Sequence, residues 1–250
     1  MNKMAEELLE KDTIEETEEM EDTSLGDIYL SISDTFFKIY NKMKSMAFVA
    51  IDDNQFGNQY TSSTDASKLF ISNSQVYEMV QNVIKNSKDI SIKLVTISPR
   101  YDLYVIRLND IDIKSNPYFK DADAMYLGFD DIIKMEEDES DLTYRLGCVI
   151  IGNSTFLDDD QRRHVLEHEL AHATMDYLIQ ILDLDISLDT DENEFLADFL
   201  PIQAIYQDNK EDNDYINHFL EYGEKYIKPE IMKKYRESVK KIVIALNQES

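Results

Sequence analysis

From residue 26 to residue 46, apolar side chains stand at Ile28, Leu30, Ile32, Phe36, Phe37, Tyr40, Met43 and Met46. The spacing is mixed, and over the second half it fits a helix better than a strand. Val76, Met79, Val80 and Val83 share one face of a helix expected over 75–85, after a polar loop at 61–67. The middle of the chain changes character. Residues 90–97 and 101–108 are rich in β-branched and aromatic side chains and flank Ser98-Pro99-Arg100, so they read as a hairpin or two neighbouring strands. Further strands are expected at 124–129 and 146–151, the second ending on the turn signal Gly152-Asn153. The acidic run 136–141 between them reads as an exposed loop.

Beyond residue 157 the pattern is helical. Asp158 and Gln161 have the spacing of a capping box, opening a helix that runs to about Leu182. A second helix starts near Asp191, and two more cover 213–222 and 229–246, with Pro229 in a first turn. Mixed structure first and helices last give an α+β class. The expected architecture is a small mixed or antiparallel sheet with a helical C-terminal part.

Composition adds limits. The net charge is −26, from 25 basic and 51 acidic side chains. Sequence-independent nucleic-acid binding needs Lys and Arg to neutralise phosphates, so it is not expected. A basic protein partner is favoured instead. Residues 1–22 hold ten acidic and two basic side chains, so 1–24 is expected to be an acidic, disordered tail, with 25–250 as a single domain. No apolar run reaches the roughly 18 residues of a membrane span, and the N-terminus has no apolar signal core, so a soluble cytoplasmic protein is expected. The single cysteine, Cys148, excludes disulfides and multi-cysteine zinc sites within the chain; it reads as a small buried apolar residue.

The chemistry concentrates at His168-Glu169-Leu170-Ala171-His172, an HExxH motif. Residues four apart on a helix share a face, so both imidazoles can reach one Zn2+ ion. Glu169, about 100° round the helix from His168, falls beside the metal, where it can take a proton from water. At this composition, chance produces H-[DE]-x-x-H in about 1% of such chains, so the motif alone is not decisive. A third ligand is required, and Glu194 supplies it, with Asp198 on the same helical face as a hydrogen-bond acceptor for a ligand histidine. The competing role for Glu194 is a capping box with Asp191, and Glu192 is the fallback ligand.

HExxH followed by Glu194-Phe195-Leu196-Ala197-Asp198 resembles the gluzincin class of zinc peptidases and is most similar to the ImmA/IrrE family of small intracellular metallopeptidases. The likeness covers about 145–205, including the strand that leads through a polar turn into the motif helix, and leaves 25–140 unmatched. It implies a zincin-like fold, zinc ligands His168, His172 and Glu194, Glu169 as general base, and a protein substrate; some members of that family cleave DNA-binding repressors. One departure is Pro201, which comes early and should kink or end the second helix.

Other candidates carry less. An oxyanion donor is sought among His218, Tyr215, Tyr222 and Tyr226, although with 15 tyrosines most are packing residues. His164 reads as a helix-surface histidine. Asp183, Asp185, Ser187, Asp189, Asp191 and Glu194 have EF-hand spacing, but Leu188 replaces the required glycine, so the segment reads as a connecting loop. The leading expectation is a zinc-dependent endopeptidase. The alternative is an acidic interaction or nucleic-acid-mimic protein whose zinc site is structural or vestigial.

Overall fold

Four strands form one mixed sheet in the computed structural model, which describes residues 24–51, 90–108, 124–133, 142–152, 159–206 and 214–249. Helix α1 spans Leu25–Ile51, followed by β1 (Ile90–Ser98), β2 (Tyr101–Leu108), β3 (Ala124–Ile133) and β4 (Leu142–Gly152). Helices α2 (Asp159–Gln180), α3 (Thr190–Tyr206), α4 (Asp214–Tyr226) and α5 (Pro229–Glu249) complete it. The chain divides into two units, 1–37 with 186–250, and 38–185. Helix α1 crosses the first boundary. Residues 1–23 of the expected tail and the elements expected at 61–67, 75–85 and 136–141 lie outside the described residues, as does the cap at Asp158.

In the unit 38–185 the sheet order is β1-β2-β4-β3. Strands β1 and β2 form the antiparallel pair expected around Pro99, and Ser98 Oγ accepts a bond from the Arg100 amide at 3.3 Å. Strand β4 lies parallel to β2 and antiparallel to β3. Leu146 to Gly152 is buried without a break, which is the pattern of a strand covered on both faces. Cys148 is fully buried, as expected, and burial pushes its thiol well up. Helix α2 packs against β3 and β4. The second half of α1 joins the same unit through Lys42, which donates to the Ile97 carbonyl at 2.6 Å, and through Thr174, whose hydroxyl lies 3.5 Å from Met43 Sδ.

The other unit is helical. Ser24 caps α1: its hydroxyl accepts from the Asp27 amide at 3.3 Å and donates to the Asp27 carboxylate at 2.7 Å. The mixed spacing in α1 resolves into helix throughout, because both ends of the element bury large side chains, from Leu25 and Ile28 to Met43 and Ala47. A Cβ on Gly26 would lie 2.6 Å from Ala245 Cβ and 2.7 Å from the Lys241 carbonyl, so glycine permits the close crossing of α1 and α5. Phe195, Phe199, Phe219 and Tyr235 form an aromatic core with centroids 5.1–6.1 Å apart.

Of the two effects expected of Pro201, the helix end does not occur: α3 continues to Tyr206. The missing N–H and ring clash cost roughly 3 kcal/mol in a helix interior. Phe199, Leu200 and Ile202 are all buried around it, each worth about 1.5–3 kcal/mol, and together they outweigh that cost. Among the described residues, no helix is long and apolar enough to cross a membrane.

Candidate functional site

Helix α2 is buried nearly all round its motif. Leu166, Glu167, Glu169, Leu170, Ala171, Ala173, Thr174 and Met175 are all below a tenth exposed. From Leu166 to Met175 the half-open positions are His168 and His172, on a stripe that continues to His164 and Asp176, each four residues after the last. The two motif imidazoles converge: their Nε2 atoms lie 3.0 Å apart, with ring centroids 4.7 Å apart and planes at 79°. His164 stands further off, its ring 6.4 Å from that of His168. Glu169, next to the stripe, is 8% exposed.

Two charged networks hold α2 within its unit, and neither was anticipated from the sequence. The first lies at the residue before the motif. Glu167 is 3% exposed and takes Lys44 Nζ at 2.7 Å and Arg163 Nε at 2.9 Å. Lys44 Nζ also lies 5.6 Å from the centre of the Tyr40 ring. Burial, and then the charge of Glu167, push the Tyr40 hydroxyl pKa well up. The second network is one turn beyond His172. The Asp176 carboxylate accepts Arg145 Nε at 2.9 Å and Nη2 at 2.5 Å, and the Tyr126 hydroxyl at 2.6 Å. Asp176 was detectable in principle, as a carboxylate at the next step of the histidine stripe.

The second motif sits on α3 in the other unit. The helix is capped by Asp189, not by Asp191: Asp189 Oδ1 accepts the Glu192 amide at 2.8 Å, and Glu192 Oε2 accepts the Asp189 amide at 3.3 Å. This reciprocal box leaves Glu194 out of the cap. Glu192, the fallback ligand, is drawn into the box and lies 3.5 Å from Lys241 Nζ. Glu194 is exposed on the first turns of α3. One turn on, the Asp198 carboxylate accepts the Tyr235 hydroxyl of α5 at 2.9 Å. Burial first, then the negative charge of Asp198, raise the Tyr235 pKa, and Glu194 and Asp191 add to the effect.

The candidate oxyanion donors fall in the same unit. Tyr215 is 8% exposed, and its hydroxyl lies 3.3 Å from that of Tyr29, which also receives Gln203 Nε2 at 2.6 Å. His218 stacks on Tyr206, with centroids 3.8 Å apart and planes at 12°. The rings of Tyr222 and Tyr226 lie 4.8 Å apart. Between α2 and α3, Asp183, Asp185, Ser187 and Asp189 are exposed on a segment without regular structure, the connecting loop expected there.

The donor chemistry suits zinc. Two nitrogens each about 2.0–2.1 Å from a tetrahedral ion lie roughly 3.3 Å apart, close to the separation of the motif imidazoles. No protein-family model, curated protein or solved structure matches this chain.

Proposed function

We propose that this chain is a zinc-dependent endopeptidase with a zincin-like catalytic core, acting in the cytoplasm on a protein partner. The observation that carries the reading is the convergence of His168 and His172 Nε2 to 3.0 Å on a helix that buries Glu169 beside them. His168, His172 and Glu194 supply two imidazoles and a carboxylate, a donor set of the kind that holds a catalytic zinc ion. Engagement of Glu192 in the α3 cap favours Glu194 over it as the carboxylate ligand.

In this reading His168, His172 and Glu194 hold Zn2+, which supplies Lewis acidity to the scissile carbonyl and acidity to the attacking water. Glu169 accepts the proton of that water and returns it to the leaving amine, so that one carboxylate serves both halves of the hydrolysis. The enclosure of Glu169 limits competition from bulk water for that proton. Asp198 orients a ligand imidazole in the proposed centre. The net charge of −26 makes a basic protein the favoured substrate.

The test uses the full chain and its cellular partners. Glu169→Gln is expected to retain stoichiometric zinc and lose cleavage, and His172→Ala to lose both. Capture on Glu169→Gln should recover an intact protein that the wild type cuts. A Glu169→Gln variant that still cleaves defeats the mechanism. A partner held stoichiometrically and never cut by the wild type supports an acidic interaction protein instead.

A further inference from the structure

The Asp176 network occupies space that two glycines keep open. Gly128 of β3 and Gly147 of β4 are direct partners in the antiparallel ladder. A Cβ on Gly128 would lie 2.7 Å from Arg145 Nη2, 2.9 Å from the Tyr126 hydroxyl and 3.0 Å from Asp176 Oδ2. A Cβ on Gly147 would collide with the hydroxyl of Tyr101. That hydroxyl is the last member of the network. It lies 2.9 Å from the Tyr126 hydroxyl and 3.3 Å from the backbone carbonyl of Ala173, the residue after His172. The paired glycines thus leave room beneath α2 for Tyr101, Tyr126, Arg145 and Asp176.

We propose that this network is a positioning device that sets the rotation of α2 on the sheet and so fixes the direction in which the converged His168 and His172 imidazoles face. The proposal rests on the zinc reading for its function, but its structural content is separate. Asp176 lies on the same stripe as both histidines, so fixing its carboxylate fixes the direction of the stripe. A slip of one residue would turn the helix by about 100° and carry both rings away. The bidentate guanidinium–carboxylate contact is planar and tolerates little rotation. Stability alone accounts poorly for such a pair. Both side chains are only 13% exposed, and at that burial desolvation consumes much of the attraction; apolar replacements of similar volume are often neutral or stabilising. An apolar contact would hold α2 on the sheet without fixing its rotation.

The test separates position from stability. The variants are Asp176→Asn, the milder Tyr126→Phe, and the apolar double variant Arg145→Met with Asp176→Leu. Two quantities are read on the full chain: Zn2+ affinity by competition with a chromophoric chelator, and, without metal, the nuclear Overhauser effect between the rings of Tyr101 on β2 and Tyr177 on α2, whose centroids lie 5.2 Å apart and whose contact depends on the rotation of the helix.

Asp176→Asn is expected to weaken Zn2+ binding at least tenfold, the usual scale for partners that orient ligands, and to lose the inter-ring signal. Tyr126→Phe should weaken binding by a few-fold while remaining folded. The double variant should regain thermal stability but recover neither the affinity nor the signal. If affinity and signal return with stability in the double variant, or survive in Asp176→Asn, the network is only structural and the proposal falls. A wild type that shows the inter-ring signal but binds no Zn2+ overturns the zinc reading and leaves the positioning role standing.

Discussion

Glu167 is an anion held at 3% exposure by two cations of unequal kind, so its removal has a cost that can be apportioned. Arg163 is 55% exposed and one turn away on the same helix; a pair of that type contributes about 0.3–0.5 kcal/mol. Lys44 is 19% exposed and comes from α1, and breaking a fully buried pair costs about 3–5 kcal/mol. Its remaining exposure, and the Tyr40 ring beside its ammonium, soften that loss. Glu167→Gln is therefore expected to destabilise the unit by about 2 kcal/mol. With a urea dependence of about 2–3 kcal/mol per molar, the midpoint should fall by roughly 1 M. Urea unfolding followed by far-UV circular dichroism gives the total, and hydrogen exchange at the α2 amides shows whether the loss is local. The double variant Lys44→Met with Glu167→Leu should recover most of it, because no unpaired charge is left behind. A single variant within 0.5 kcal/mol of wild type, or a double variant worse than Glu167→Gln, would refute this account.

Asp189→Ala should lower stability by about 1 kcal/mol through loss of the α3 cap, whereas Asp191→Ala should not show that loss; thermal unfolding of the pair distinguishes them. Tyr40, Tyr101, Tyr126, Tyr215 and Tyr235 all have raised pKa values, chiefly through burial. Above about pH 10 the unfolded chain loses those protons while the folded chain retains them, so stability should fall as pH rises from there toward the folded values. Tyrosinate absorbance should therefore show a late class that appears together with loss of circular dichroism, and fifteen groups titrating near pH 10 with the fold intact would contradict it. Cys148 should resist iodoacetamide in the native chain and react only on unfolding, as judged by mass spectrometry.

What could be read in the sequence was mostly local. The hairpin around Pro99, the buried run of β4 and the start of α5 at Pro229 are signalled by neighbouring side chains. So is the four-residue spacing that lets His168 and His172 converge. The contacts of Asp198 with Tyr235 and of Asp176 with Arg145 join residues 37 and 31 positions apart, and no local pattern announces them. Glu167 looked like one more acid in an acidic chain; only its burial distinguishes it. Asp189 and Asp191 each have a glutamate three residues on, and the backbone decides for Asp189, which leaves Glu194 out of the cap. At Pro201 the opposite holds: the tendency to end the helix is local, and it yields to Phe199, Leu200 and Ile202 packed around it.

The parallel pairing of β2 with β4 sets an order of assembly. Strands β1 and β2 meet across a turn and can pair early. Tyr101 meets Arg145, and the chain must close a loop of 145 − 101 = 44 residues before that register exists. Loop closure of this kind is paid in entropy before its contacts form, and parallel pairing is slow for that reason. Arg145 reaches its place only once β4 is docked, and Asp176 has no guanidinium to meet until then. A nascent chain can thus coil the HExxH segment into helix long before the sheet can aim it. During synthesis, the two histidines would share a face of the helix well before that face has its place on the sheet.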